Sequence, residues 1–464
     1  MATLSRGPVR ARPYCKSYPS LFGLAMAIAC AFPATAATDS SLTSSSAVAA
    51  AESVTAQPAH REREWQNTTT LAVAWDKALA ANPGLQAARY GAAATEGAIV
   101  QSKARPNPEL AFTQEDTRSD TRSSTFQINQ LIELGGKREA RMRMAEGEKA
   151  AAQASVFETQ AALRYQLVTY FNELLLLQQR VQFASKTHAL TVLATDAAEK
   201  RVQAGKVPPL EASRAQVAQA NAALELQQAE SLIVVAQQNL ASLWGGSAAE
   251  VGVASGDFYV TEEAPTADQL ESLLEEAPAM LLARQTLEQS RAASELERAR
   301  RVQDPTVSVG VKRAREVGRN QVVLGVSIPL PLFDRNAGNQ LQALRKVDQA
   351  EQKLQEQRVQ LQAQVFSARQ QLLSSHRQLG LLKSQIIPTA QSAYDVAVRG
   401  FTLGKFNFLD VLDAQRTLFE SQRQLLDQLM ASHKAHAEIN RLLGTSAMSA
   451  SSAGNANTGT EYVR

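Results

Sequence analysis

The sequence has almost no cysteine. Of its 464 residues only Cys15 and Cys30 are cysteines, and both lie near the N-terminus. The rest of the chain therefore forms no internal disulfide, so packing or assembly must hold it together. Aromatic residues are also scarce, at 5% against 44% hydrophobic residues overall. This balance favours long helices rich in Ala, Leu and Gln over a rounded globular core.

Neither sign of charge predominates. The 48 Lys and Arg residues are nearly balanced by 45 Asp and Glu, so the formal net charge is +3. No dense basic cluster occurs beyond the N-terminal stretch, so we expect no nucleic-acid partner. The sequence also contains no nucleophile–base pair, phosphate-binding loop or carboxylate pair with catalytic flanks. We therefore expect neither enzymatic activity nor a cofactor.

The N-terminus has the features of an export signal. Basic residues precede an apolar run over residues 21–32, and Ala34-Thr35-Ala36 supplies a small-x-small cleavage site. We predict a signal peptide over 1–36, cut before Ala37. The run is shorter than the about 20 residues that a membrane-spanning helix needs. Lipidation of Cys30 is the alternative, and either process takes the chain out of the cytoplasm.

The remaining chain is an internal duplication. The turn GKVPPLEASRAQ, beginning at Gly205, returns as GKFNFLDVLDAQ at Gly404, about 200 residues later. Landmarks such as Asn107-Pro108 and Asp304-Pro305 recur in the same order at nearly the same offset. The predicted organisation is a flexible segment 37–68, a first repeat 69–246, a linker 247–265, a second repeat 266–445 and a disordered tail 446–464.

Each repeat is predicted to run helix, strand, strand, long helix, turn, helix. The first helices, expected at 71–104 and 267–302, end before prolines, which force the preceding residue towards an extended conformation. Two segments of period-2 character follow, with Val307, Val309 and Val311 on one face of one of them. Each is about 10 residues long, the length at which a tilted strand crosses a bilayer. An ordinary soluble hairpin is the alternative for one such pair alone.

Two very long helices follow the strands, predicted at 137–202 and 336–399. Apolar residues spaced alternately four and three apart over residues 163–184 form a heptad seam. A helix of about 65 residues is close to 100 Å long at 1.5 Å per residue, longer than a compact domain. Pro388 should kink or locally loosen the second of these helices.

One chain has too few strands to close a barrel. The edges of a four-stranded sheet leave backbone groups unpaired, which is costly in lipid. Two copies would supply eight strands, and side chains would fill the interior of that barrel. Three copies would supply twelve strands and leave a lumen. The predicted fold is mainly α with a small transmembrane β part. As a homotrimer, the duplicated strand–strand–long-helix unit would form a 12-stranded β-barrel joined to a 12-column α-helical tube.

Over residues 70–445 this sequence resembles the outer-membrane efflux channels typified by TolC. The resemblance includes the duplicated order and the segment Asp410-Val411-Leu412-Asp413-Ala414. ELGGKR (133–138) and SIPLPLFDRNAGN (327–339) resemble the heavy-metal branch, the cobalt, zinc and cadmium resistance channels. The resemblance implies a barrel in outer-membrane lipid with a tube extending into the periplasm. It also implies export of cobalt-, zinc-, cadmium- or nickel-class cations from the periplasm or cytoplasm to the exterior.

The resemblance implies two protein partners, a periplasmic adaptor (membrane fusion protein) and an inner-membrane RND transporter, which complete a tripartite pump. Two alternatives stay open. One is an outer-membrane channel for drug efflux or type I protein secretion. The other is a periplasmic coiled-coil adaptor or structural protein, although an adaptor would carry one helical hairpin between β domains, whereas this chain carries two.

By the same resemblance, Asp410 and Asp413 line a constriction at the periplasmic end of the tube. Residues three apart share a helix face, and threefold symmetry would gather these carboxylates around one axis. Such a ring attracts cations. The first-repeat counterparts are Glu211 and Arg214, so the pair is not duplicated. In the alternative reading, Asp410 complements the helix dipole after an Asn407 cap, and Asp413 is likewise an ordinary helix-surface acid.

The turns at Gly205-Lys206 and Gly404-Lys405 are the predicted adaptor-docking tips, because glycine permits a tight exposed turn. Ordinary turns without a partner are the alternative. His433 and His436 have a spacing compatible with a metal, but no third ligand is nearby. We therefore predict no metal site and retain these two histidines only as candidates.

Overall fold

The structure is a computed structural model, and it describes residues 68–116 and 118–445. The predicted signal peptide with both cysteines, the predicted flexible segment up to residue 67 and the predicted tail from residue 446 lie outside the described residues.

Helices make up most of the described chain. In order, the elements are β1 (Thr68–Thr70), α1 (Leu71–Ala81), α2 (Pro83–Lys103), β2 (Glu109–Glu115), β3 (Ser123–Leu131), α3 (Lys137–Gln203), α4 (Pro209–Ser242), α5 (Ala248–Val251), β4 (Val253–Ser255), α6 (Ala267–Leu274), α7 (Pro278–Ala299), β5 (Thr306–Ala314), β6 (Arg319–Ser327), α8 (Ala337–Leu381), a π-helical turn (Leu382–Ile386), α9 (Ile387–Thr402) and α10 (Phe408–Leu443).

The prediction of one continuous first helix in each repeat is wrong. The structure has two helices in each place, α1 and α2 in the first repeat and α6 and α7 in the second. Asn82 is extended, with ψ of 119°, because it precedes Pro83, and its side chain accepts from the amide of Leu85 at 2.8 Å. Ala277, before Pro278, is extended in the same way. Proline at the first position of a helix starts a new helix rather than continuing the old one.

The first long helix agrees with its prediction. α3 is 67 residues long and begins after Gly136, whose φ of 71° lies in the left-handed region. Its heptad seam is buried, with Leu167 and Leu174 almost fully enclosed, and it packs against α1, α4 and α10 in one hydrophobic core. Burying this seam accounts for the stability of a helix far longer than its propensity alone would support.

The second long helix is interrupted where Pro388 predicts. α8 ends at Leu381, the next five residues form a π-helical turn, and α9 continues from Ile387. Pro388 has no amide hydrogen and its ring crowds the preceding turn, so the helix widens directly before it. The expected loosening is therefore confirmed.

The glycine pair of the ELGGKR motif joins the two repeats. The amide of Leu134 donates to Asp304 Oδ1 at 2.8 Å, and Lys137 Nζ donates to Oδ2 of the same residue at 2.6 Å. A Cβ on Gly135 would lie 2.7 Å from Val302, so only glycine fits there. The motif thereby attaches the start of α3 to the chain entering β5.

Four antiparallel strands form one sheet in the order β2-β3-β5-β6. The hairpins of the two repeats are joined through β3 and β5, with Phe126 opposite Val311 and Ile128 opposite Val309. Alternate residues share a face, and one face carries large, exposed apolar side chains. They are Leu110, Phe112, Phe126, Ile128, Val309, Val311, Val322, Leu324 and Val326.

Two smaller features complete the fold. β1 and β4 form a short parallel pair beside the middle of α3. No helix in the described ranges combines the length and apolar character that crossing a bilayer requires.

Candidate functional site

Two helical tips lie about 100 Å from the sheet, the length of α3 at 1.5 Å per residue. Their backbones are alike: Gly205 and Gly404 have φ of 68° and 73°. In each tip the lysine amide donates to the carbonyl five residues earlier, at 2.9 Å for Lys206 and 2.8 Å for Lys405. This pattern closes a helix through a left-handed glycine. Both predicted tips are therefore tight, exposed turns.

The second tip continues into α10, which begins with a capping box. The amide of Asn407 donates to Asp410 Oδ2 at 2.9 Å, and the Asn407 side chain accepts from the Asp410 amide in return. Asp410 therefore has the helix-capping role expected of a first-turn acid. Asp413 lies one turn further on and is exposed. Its carboxylate makes no hydrogen bond or ion pair within the described ranges.

The first tip has a different chemistry on the same backbone. α4 begins after Pro208 with no side-chain cap, and Glu211 and Arg214 occupy the positions of the two aspartates. Opposite charges replace the like-charged pair there. The asymmetry expected from the sequence is therefore one of side chains and not of the turn itself.

A contact between the tips was missed by sequence reasoning. Arg201 Nη2 donates to the carbonyl of Phe401 at 2.8 Å, and the guanidinium lies 3.9 Å from the centroid of the Phe401 ring. Phe401 is buried in a small cluster with Ala198 and Val411, so residues of both repeats meet here. Comparison of the two repeats could have indicated this contact. Arg201 of the first repeat occupies the position of Gly400 in the second, so a large residue replaces a small one there.

Gly400 makes room for an aromatic side chain. A Cβ added there would lie 2.0 Å from Cδ2 of Phe406. The amides of Lys405 and Phe406 both donate to the carbonyl of Gly400, at 2.8 Å and 3.3 Å. The Phe406 ring and the hydrogen bonds of the turn therefore both contact Gly400.

Both candidate histidines bind protein groups. His433 Nε2 is 2.9 Å from the carbonyl of Phe258, and His436 Nε2 is 3.0 Å from Glu262 Oε2. Asn440 Nδ2 lies 3.3 Å from the other ring nitrogen of His436. The hydrogen bond from His436 lowers the pKa of Glu262, and burial lowers the pKa of His433. These partners give the pair a structural role in holding the segment after β4 against α10.

The histidines border a cavity of about 700 Å³, which Trp75, Arg164 and Tyr165 also line. The charged side chains that line this cavity include both acids and bases, and they do not form a set of metal ligands. Nowhere in the described residues do three or more His, Cys, Asp or Glu side chains come together to hold a metal ion.

The fold is that of the outer-membrane channels. The OprN outer-membrane channel has a TM-score of 0.71 at 19% identity, covering 81% of this chain and 89% of that chain. VceC of Vibrio cholerae has a TM-score of 0.68 at 19% identity, covering 81% of this chain and 96% of that chain. At this level of identity the likeness concerns the fold alone.

Residues 74–246 and 270–445 each match the family described as "Outer membrane efflux protein", and the chain belongs to that family. It is 39% identical over 382 residues to the cobalt-zinc-cadmium resistance protein CzcC of Cupriavidus metallidurans, covering 82% of this chain and 91% of that protein. It is 28% identical over 286 residues to the nickel and cobalt resistance protein CnrC of the same species, covering 60% and 67%.

The resemblance inferred from the sequence motifs is thus confirmed. The protein is located in the outer membrane and extends into the periplasm. The family assignment also removes the alternative of a periplasmic adaptor.

Proposed function

We propose that this protein is the outer-membrane channel of a tripartite RND-type efflux system for heavy-metal cations of the cobalt, zinc, cadmium and nickel class. The observation that carries the proposal is the 39% identity to a cobalt-zinc-cadmium resistance protein, maintained over 91% of that protein's length. The channel is a passive conduit from the periplasm or cytoplasm to the exterior. Partner proteins supply the driving force and select the metal.

The groups that one chain leaves unpaired support the further proposal that the protein assembles as a homotrimer. The sheet has two open edges, β2 and β6, and an apolar face that is exposed in the monomer. Three sheets joined edge to edge give a twelve-stranded barrel whose apolar face contacts lipid. On α4, Leu210, Val217 and Leu224 recur every seven residues and are exposed. This stripe is suited to a neighbouring helix of another copy, which would complete the helical tube.

The proposed periplasmic aperture is formed by Asp413, with Asp410 as a second member that also caps α10. Three exposed carboxylates around one axis attract cations, and bound divalent cations would hold the mouth closed. Asp410 would attract cations less strongly than Asp413, because its carboxylate already accepts a hydrogen bond from the amide of Asn407. The repeats 69–246 and 266–445, with 247–265 between them, are the proposed structural units that place one such tip at the axis.

Conductance in planar bilayers tests the aperture. Asp413→Asn should raise the resting conductance and weaken block by divalent cations, and Asp410→Asn should add to the effect. Glu211→Gln is the control, since it removes a carboxylate from the first-repeat position that corresponds to Asp410. Unchanged conductance and block in Asp413→Asn, or an equal change in the control, would count against a gate at this position.

The two tips are the proposed docking points for a helical hairpin of the adaptor. Lys206 and Lys405 are exposed, and large leucines beside the turns, including Leu403 and Leu409, are exposed as well. Exposed apolar residues next to a rigid turn are typical of a helix-packing surface.

Cysteine cross-linking tests the docking points, since neither natural cysteine lies in the described chain. Cysteine at position 206 or 405 should cross-link to the adaptor in cells, whereas Gln352→Cys, exposed in the first half of α8, should not. Equal cross-linking from all three positions would refute docking at the tips.

Deletion of the gene tests the cargo. Sensitivity to cobalt, zinc, cadmium or nickel should rise while sensitivity to drugs stays unchanged. The opposite outcome would favour the second candidate, a channel for drug efflux or type I protein secretion.

A further inference from the structure

The outward face of the sheet carries a group of arginines directly beyond its apolar band. The last apolar row towards the hairpin turns consists of paired residues, including Phe126 opposite Val311. The next row on the same face has Arg313, opposite Ser124 and Asn320. Alternate residues along a strand are about 7 Å apart, so Arg313 begins one short step beyond the apolar surface.

Two further arginines extend this group towards the turns. Arg315 is the first residue of the turn after β5, and its amide donates to the carbonyl of Arg122 at 3.2 Å, which continues the pairing register of β3 and β5 by one residue on each side. Arg122, Arg313 and Arg315 thus form one patch, which we call the arginine rim. It lies at the hairpin-turn end of the sheet, opposite the end where the helices begin.

The rim has positive charge available for a ligand. The side chains of Arg122 and Arg313 make no hydrogen bond or ion pair with any described residue, and Arg315 donates only one, to the carbonyl of Ser119 at 3.2 Å. Uncompensated guanidinium groups next to an apolar surface are suited to a ligand that is both anionic and lipidic.

Among the described residues, no ion pair joins Glu115, Asp120 or Glu316 to the three arginines of the rim. Glu115 lies on the opposite face and accepts from Lys312 Nζ at 2.6 Å. Asp116 accepts from the amide of Arg118 at 3.1 Å. Asp120 and Glu316 lie within the turns.

In the outer membrane the helices extend into the periplasm, so the hairpin-turn end reaches the outer leaflet. This leaflet consists of lipopolysaccharide, whose lipid A portion carries phosphate groups at the junction of acyl chains and sugar. We propose that the arginine rim binds these lipid A phosphates, while the apolar face contacts the acyl chains. Arginine donates to phosphate in a bidentate, charge-assisted manner, and this contact would set the depth of the barrel in the leaflet.

Binding to the purified full-length protein in detergent tests this inference. The probes are lipid A with both phosphates, the same lipid with its phosphates removed, and inorganic phosphate alone. The variant Arg122→Gln/Arg313→Gln/Arg315→Gln should bind phosphorylated lipid A about a hundredfold more weakly, at roughly fivefold for each cation at a lipid surface. The wild-type protein should lose a similar factor when the lipid phosphates are removed.

Two matched variants serve as controls. Arg319→Gln removes an exposed arginine from the same hairpin, but strand alternation places it on the opposite face, so binding should stay within about twofold. Arg313→Lys keeps the charge and loses the bidentate geometry, so binding should fall by less than in Arg313→Gln. All the variants should still reach the outer membrane, because they change surface side chains only.

Equal binding by the triple variant, or equal binding of dephosphorylated lipid A, would overturn the inference. Complete competition by millimolar inorganic phosphate would overturn it too, by showing a site for free anion and not for lipid. The inference rests on the sheet crossing the outer membrane. Absence of the wild-type protein from the outer-membrane fraction would therefore refute the proposed channel and the inference together, whereas a binding failure alone leaves the channel standing.

Discussion

Replacing Arg201 with Met should loosen the second helical tip, because Arg201 joins the two repeats at this end. It donates to the carbonyl of Phe401 at 2.8 Å and covers the ring of the same residue at 3.9 Å. Methionine keeps most of the aliphatic stem and removes both interactions. The substitution therefore measures the contribution of the guanidinium group alone.

The two interactions of Arg201 are expected to contribute about 2 kcal/mol together. A hydrogen bond from a charged donor contributes about 1.5–3 kcal/mol when buried, and about 1 kcal/mol here, because this one is only partly buried. The cation–π contact adds about 1 kcal/mol, since the Phe401 ring itself is buried. A loss of about 2 kcal/mol corresponds to an about 30-fold change in the opening equilibrium of the tip.

Hydrogen exchange of the purified protein measures this opening. The amide of Lys405 donates to the carbonyl of Gly400 at 2.8 Å and is exchange-protected only while the tip is closed. Exchange of the peptide that contains Lys405 should accelerate about 30-fold in Arg201→Met. In bilayers the same variant should raise the resting conductance, because the looser tip belongs to the proposed aperture.

Lys200→Met is the control for Arg201→Met. Lys200 is the neighbouring residue, and it pairs with Asp196 of its own helix at 2.6 Å, with both side chains more than half exposed. An exposed pair of this kind contributes only a few tenths of a kcal/mol, so exchange at the tip should change less than about twofold. Identical exchange in the wild type and Arg201→Met, or equal acceleration in both variants, would refute the reasoning.

Three further predictions concern the tips and the histidines. Gly400→Ala should displace the Phe406 ring and lower the temperature at which the protein unfolds, and adding Phe406→Ala should restore much of the loss. Gly205→Ala and Gly404→Ala should each cost about 1 kcal/mol in unfolding experiments, since open space surrounds both and only the positive φ opposes a side chain. Burial lowers the pKa of His433 below its ordinary 6.5, so the unfolded state binds the proton more readily and stability should fall as the pH drops below about 6.5. His433→Gln should flatten this dependence in thermal unfolding between neutral and mildly acidic pH.

Each of these predictions has an outcome that contradicts it. Failure of Phe406→Ala to rescue Gly400→Ala would mean that the ring is not the obstacle. A large difference between the two tip-glycine variants would show that their surroundings, and not the shared φ, set the cost. An unchanged pH dependence in His433→Gln would assign the acid sensitivity to other groups.

Much of the fold could be predicted because it depends on local patterns. The heptad spacing over residues 163–184 predicted α3, and the structure extends that helix by a single residue beyond the predicted end at 202. The glycine–lysine turns and the interruption before Pro388 were predictable for the same reason, since backbone preference acts over a few residues. The family could be recognised because its motifs are short and contiguous.

The sequence by itself determined the duplicated order of elements, the long coiled helices and the apolar face of the strands. Only the tertiary structure decided which distant residues meet: β3 against β5, Asp304 against Lys137, and Arg201 against Phe401. It also showed that Asp410 caps its own helix, while the Asp413 carboxylate has no partner among the described residues, and that the candidate histidines bind Glu262 and a backbone carbonyl. The physical reason is that periodicity encodes which face of an element is buried. The partner of that face depends on how elements far apart in the chain pack together.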